Sequence, residues 1–433
     1  MSGNITESQV VKLWQQLLAD RTKLITEEGE PVEIIYPGRN NDDRGADFRD
    51  AVISRHNELV KGDVEIHVKS SDWQSHRHHQ DRAYDRVILH VVMWHNTATS
   101  LTKGSGIPVL ALERHIRGQH NHWLEMEPPM ALNLPCSKVR ERLPQDTVAR
   151  FLDDAGEQRF FARVSHYQKE LAQMEAGETL YQGIMEALGY TKNKLPFREL
   201  ARRLPLKALE AIAFRRLPKE EHLARLQALL LGTAGLLPSR CQTSQRDLDE
   251  KWRDRLEWLW AISENTQVMS PNDWHLFKVR PNNSPVRRLL AMSLLLLHYK
   301  GKGLLAGLIN LVKEAPPERS YQQLESGLIV TLEAGSRRIT LLGRTRASDI
   351  IVNVLLPFTS AWGGVTAQAE LTGKALTLYR GYPQLATNAV DRHMIKQLGL
   401  NRSLVNSARR QQGLLHIYQT FCTQGECHGC PFR

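Results

Sequence analysis

Residues 63–69 read DVEIHVK. Titratable side chains hold the odd positions (Asp63, Glu65, His67, Lys69) and aliphatic ones the even positions (Val64, Ile66, Val68). Successive side chains of a strand point to opposite faces, so this alternation predicts a β-strand with one aliphatic and one titratable face. A surface strand in any protein can carry charges on one side. The neighbouring sequence sets this one apart: Asp47 closes a turn-rich stretch, YPGRNNDDRGAD, at the mouth of the preceding strand-like run.

The surrounding runs assemble into a mixed α/β domain. A helical stripe over 6–20 (Val10, Val11, Leu13, Trp14, Leu17, Leu18) opens at Thr6. Strand-like runs follow at 32–38 (VEIIYPG), 48–53 (FRDAVI) and 63–69, then a polar segment expected to be partly helical through QDRAYDR. VILHVVMWH (87–95) is almost wholly apolar, as in a strand covered on both faces, and IPVLALE (107–113) reads as one more strand. The predicted order is helix, three strands, helix, strand. From about 144 to 313 Leu, Ala, Arg and Glu recur at helical spacing, a strand excursion is expected within 320–343, and helices resume from about 346. Three regions are therefore expected: an α/β domain over 1–130, a mainly helical domain over 131–343, and a helical segment over 344–433 ending in cysteines.

Two carboxylates on adjoining strands, Asp47 and Glu65, can share one divalent cation, since Mg²⁺ is held by one or two carboxylates plus waters and phosphate oxygens. A lysine or imidazole further along the same face (His67 or Lys69) can orient water or neutralise phosphate. With the helix–strand order, AD before one strand and EIHVK on the next, residues 5–115 resemble the PD-(D/E)XK phosphodiesterases. That resemblance implies a restriction-endonuclease-like fold and a Mg²⁺- or Mn²⁺-dependent nuclease. In it Asp47 and Glu65 hold metal and Lys69 or His67 orients water. The departure is that His67, not lysine, stands two places after Glu65, with Lys69 two places further. GRNNDDRGADF, GDVEIHVKSSDW, DRAYDRVILHVV, RQQGLLHIYQTFC and the terminal CHGC also resemble a bacterial family, domain of unknown function 2851, from Glu7 to Phe432.

The segment SSDWQSHRHHQDRAYD is rich in His and Asp. Zinc is one reading, but only His76 and His79 approach the spacing of a helical ligand pair. The favoured reading is a substrate edge, with Trp73 stacking on a base and Arg77, His78 and Arg82 touching phosphates. At the C-terminus, FCTQGECHGCPFR sets Cys422, Cys427 and Cys430 as C-x4-C-x2-C, a thiolate knuckle lacking a fourth ligand. Cys136 is the leading candidate, ahead of Cys241 and His428. Some PD-(D/E)XK nucleases hold an iron–sulfur cluster with one distant and three C-terminal cysteines, so the resemblance implies iron–sulfur here, although there the distant cysteine precedes the nuclease core and here it follows it; zinc and no metal are the alternatives. In the helical middle, Arg280, Arg287 and Arg288 flank a PNNSP turn that could receive a phosphate, and Trp252, Trp258 and Trp260 share one helix and are expected in the core.

With 57 Lys+Arg against 47 Asp+Glu the net charge is +10, which favours anionic partners, DNA first. The start shows no basic leader with an apolar run, and the longest apolar run, LLAMSLLLL (289–297), is half a bilayer crossing. A cytoplasmic location without membrane partners is expected. The contrasting function is a non-catalytic nucleic-acid-binding or assembly module whose acids are structural.

Overall fold

The computed structural model describes residues 5–19, 24–96, 106–116, 134, 136–137, 139–213, 216–241, 248–263, 267–276, 279, 283–316, 320–334 and 337–433. A sheet-rich N-terminal region is followed by a helical one. The chain forms two compact units: Met1–Gln158 with Thr387–Asn406 and Arg410–Arg433, and Arg159–Ala386 with Ser407–Arg409. Among the described residues no helix is long and apolar enough to cross a membrane.

The first unit begins with helix α1 (Glu7–Ala19). Its N-terminus is fixed by Gln9, whose side-chain oxygen accepts the Thr6 amide at 2.8 Å, one half of a capping box. The strands are β1 (Leu24–Ile25), β2 (Pro31–Tyr36), β3 (Arg39–Asn40), β4 (Phe48–Arg55), β5 (Glu58–Lys69), β6 (Val87–Trp94) and β7 (Val109–Ala111). They form one sheet in the order β1-β2-β4-β5-β6-β7, with β3 pairing β4. β5 is antiparallel to β4 and parallel to β6. It is the longest of these strands and lies in the interior of the sheet, which explains why Val60, Val64, Ile66 and Val68 on its other face are aliphatic. Val64 and Ile66 pack with Val10, Leu13, Trp14 and Leu17 of α1 and with Leu89 and Val91 of β6. Burial of each such side chain contributes about 1.5–3 kcal/mol.

The expected helix between the third and fourth predicted strands is not continuous. The segment contains a four-residue turn of helix, α2 (Asp72–Ser75), and two 3-10 turns, His78–Gln80 and Arg82–Tyr84. Arg77 between them takes a left-handed backbone, φ 58°, which costs a non-glycine residue on the order of 1–2 kcal/mol and interrupts any helix. β1 and β3, two residues each, are too short to leave a periodic signal.

In the same unit a second apolar core joins Tyr36 and Val52 of the sheet to Cys136, Val139, Leu152, Met394, Leu414, Ile417, Cys422 and Phe432. The C-terminal stretch from Thr387 therefore belongs with the sheet rather than with the helices before it.

The second unit is helical around one large core that includes Tyr181, Phe197, Leu231, Leu289, Leu308 and Phe358. Its strand excursion is the hairpin Val330–Ala334 with Arg337–Leu342, preceded by a helix over Ser320–Leu328. Trp252 and Trp260 pack against the core as expected, but Trp258 is 60 % exposed. Arg288 is buried and donates to the Leu341 carbonyl and the Asn283 side chain, a structural role rather than a phosphate contact. Arg280 lies outside the described residues.

Candidate metal and nucleic-acid site

On the titratable face of β5, Asp63, Glu65 and His67 are buried and Lys69 is exposed at the strand's end. A solvated strand face would leave all four in water. Asp63 is absorbed by the architecture: its Oδ1 accepts the Asp50 amide at 3.0 Å across the irregular β4–β5 pairing, and the guanidiniums of Arg49 and Arg86 lie 3.8 and 3.9 Å from its carboxylate. Glu65 and His67 are not used in that way.

Asp47 stands immediately before β4, at the end of a turn that Asn41 braces by donating to the Asp43 and Ala46 carbonyls. Its amide donates to Glu65 Oε2 at 3.1 Å and its own Oδ2 accepts the Ile66 amide at 3.0 Å. The two carboxylates are thus neighbours across β4 and β5. Burial, and then the neighbouring Glu65 charge, raises Asp47 to about 7, and burial raises Glu65 to about 8. Two largely desolvated neighbouring carboxylates are an arrangement that a divalent ion or a shared proton relieves.

Beyond them the imidazoles converge. His67 Nε2 lies 3.4 Å from Glu65 Oε1, 3.2 Å from His78 Nε2 and 3.2 Å from His76 Nδ1. His78 Nε2 is 3.3 Å from the same Glu65 oxygen. Burial, with the other imidazoles adding, pushes His67 down to about 2, and burial lowers His78 as well, so both rings are neutral near pH 7. Tyr84 stacks on His78 with centroids 3.7 Å apart, and His90 Nε2 on β6 lies 2.9 Å from His67 Nδ1.

The substrate-edge residues separate into two groups. Trp73 is buried, and its ring braces those of His78 and His90 at 5.5 and 5.3 Å, so it offers no face to a base. His78 turns inward to Glu65. Arg77 and Arg82 are exposed on the turns beside the cluster. Sequence reasoning missed Tyr84 and His90 as members of this site, and paired His76 with His79 where the structure places His76 beside His67 and His78. The only local signal was the density of histidines, because their convergence depends on the left-handed Arg77 and on the parallel β5–β6 pairing.

The cysteines form a second cluster in the same unit. Gln397 Nε2 lies 3.4 Å from Cys136 Sγ and 3.7 Å from Cys422 Sγ. All four thiols, Cys136, Cys422, Cys427 and Cys430, are held above the usual range first by burial. Proximity to one another adds to the effect at Cys136, Cys422 and Cys430, and Cys430 reaches about 11. None is in a disulfide. Cys241 belongs to the core of the other unit, and His428 is exposed beside Arg433. Among the described residues, His67, His76 and His78 alone form a group of three His, Cys, Asp or Glu with ligand atoms all within 4.8 Å of one another. Among the described residues, no three of the cysteine sulfurs all lie within 4.8 Å of one another.

The model of the protein family of unknown function DUF2851 matches residues 7–387. The chain belongs to the DUF2851 family. The matched region includes the whole Asp47–His78 cluster and Cys136, and it ends before Cys422, Cys427 and Cys430. No curated protein and no solved structure matches the chain.

Proposed function

We propose that this DUF2851 protein is a metal-dependent phosphodiesterase acting on nucleic acid, with a sheet domain of the PD-(D/E)XK type. The observation that carries the reading is Asp47, half-buried just before β4, paired with the buried Glu65 on β5, with His67 on the same face and exposed Arg77 and Arg82 at its edge. A bound divalent cation would supply Lewis acidity to a phosphodiester. Asp47 and Glu65 hold it, and their desolvation keeps them from being satisfied by bulk water. Arg77 and Arg82 bind flanking phosphates, which sets register without reading sequence. Lys69, next on the same face and exposed, neutralises the phosphate nearest the cleft. The net positive charge favours an anionic polymer such as nucleic acid. The C-x4-C-x2-C knuckle, with Cys136 and Cys422 both beside Gln397, is a structural metal site for an iron–sulfur cluster or, as the alternative, zinc.

The test is cleavage of end-labelled single- and double-stranded DNA with Mg²⁺ or Mn²⁺, alongside binding in chelator. Asp47→Asn should lower turnover by more than the roughly 10–100-fold that loss of an outer-shell partner costs, and leave binding intact. An Arg77→Ala, Arg82→Ala variant should weaken binding and lower its log–log salt slope by about 2 on duplex DNA. Salt-dependent binding without cleavage under any metal would favour the binding-module function instead.

A further inference from the structure

We infer that His67, His76 and His78 form a three-imidazole site for a first-row transition-metal dication of the zinc class, with Glu65 as its adjacent carboxylate. This deepens the phosphodiesterase reading by naming the class of cation, while the binding itself stands without that reading.

The first ground is spacing. Ligand nitrogens on one ion, at metal–nitrogen distances of about 2.0–2.1 Å, sit roughly 2.9–3.4 Å apart at right or tetrahedral angles. His67 Nε2 is 3.2 Å from both His76 Nδ1 and His78 Nε2, and all three atoms lie within 4.8 Å of one another. The second ground is how the chain reaches that geometry. In a regular helix, residues 76 and 78 lie about 200° apart around the axis and could not both face His67. The left-handed Arg77 between them reverses the chain locally and brings both rings to one side, and such strain persists where surrounding contacts hold it. The third ground is support around the ligands. His90 on β6 receives His67 Nδ1–H when Nε2 is a ligand, which fixes tautomer and ring orientation. Tyr84, stacked on the His78 ring, and Trp73, edge-on to it, hold that ring's orientation.

The donor set selects the ion. Imidazole nitrogens suit Zn²⁺, Fe²⁺, Ni²⁺ and Cu²⁺, whereas Mg²⁺ takes oxygen ligands and keeps its water. Three protein nitrogens leave a coordination position open, the pattern of a catalytic rather than a structural zinc site. His67 is buried while His76 is exposed, so that position can face solvent.

The metal-free full-length chain is titrated with Co²⁺ and followed by visible absorption, beside a His76→Ala, His78→Ala variant whose folding is checked by circular dichroism. The cysteine site announces itself by thiolate-to-cobalt bands in the near ultraviolet, and the histidine site by d–d bands alone. The wild type should bind one more Co²⁺ per chain than the variant, without added thiolate bands, and millimolar Mg²⁺ should not displace it. Equal stoichiometry and equal d–d absorption in the two proteins would overturn the site. Both proteins are also assayed for DNA cleavage with Mg²⁺ as the only metal. Cleavage by both proteins alike, together with equal Co²⁺ stoichiometry, would sink this inference and leave the phosphodiesterase reading intact. Loss of one Co²⁺ in the variant, with no cleavage by the wild type under any metal, would do the reverse.

Discussion

Glu65 lies beneath the surface with its carboxylate between the Asp47 amide and the imidazoles of His67 and His78, and burial raises it from 4.5 to about 8. The folded state keeps this proton up to about pH 8, whereas the unfolded chain releases it near 4.5. Its contribution to stability is therefore complete below pH 4.5 and is lost as pH rises through 8. Glu65→Gln retains an oxygen to accept the Asp47 amide and removes the buried charge. Thermal melts of metal-free protein should show the variant gaining on the wild type between pH 5 and pH 8, while it weakens the metal site; a constant difference across that range would contradict a buried, proton-holding Glu65. At this scale the sequence exposed half of the site. Period-two alternation places Glu65 and His67 on one face because that periodicity is local. It could not show that Lys69 ends in solvent, that Asp63 is consumed by Asp50, or that Trp73 is a brace rather than a stacking surface. Those outcomes depend on which strand or turn lies opposite.

The 63–69 part of β5 was legible because its aliphatic face is intrinsic to an interior strand, though its start at Glu58 was not, and α1 because its stripe and Thr6–Gln9 start are written within four turns of chain. The region 70–86 was not. Its fold is a sequence of short turns stabilised by pairs such as Arg44 with Asp81, at 2.6 Å and 37 residues apart, and no period marks such structure. The cysteine knuckle is the opposite case: C-x4-C-x2-C announced three thiols, and Cys136 joins them through the packing of a remote segment around Gln397. Cys136→Ser should lower the melting temperature of metal-loaded protein by roughly 5 °C or more, and should have a much smaller effect after metal removal. Protein purified without oxygen should be brown in the wild type and colourless in the variant. A colourless wild type with about one zinc per chain would replace the cluster by a single ion.

On the scale of the whole chain, composition separated a mixed α/β region from a helical one, and that division is present. Composition did not reveal that the stretch from Thr387, expected to continue a helical C-terminal segment, returns to the first unit. Tyr418 donates to Asp50 Oδ2 at 2.8 Å and Tyr36 pairs with His393 at 2.6 Å, contacts 368 and 357 residues apart in sequence. Such closure is set by surface complementarity between finished elements and leaves no local pattern. One consequence is that both candidate metal centres, the histidine–carboxylate cluster and the cysteines, are built in one unit while the helical unit supplies neither. The most direct measurement is anomalous diffraction from crystals soaked in Mn²⁺, an ion that accepts both carboxylate and imidazole ligands. A peak is predicted among Glu65, His67, His76 and His78, within bonding reach of Asp47 or one water away from it. An empty map at that cluster, with manganese bound elsewhere or not at all, would contradict a metal-dependent centre on β5.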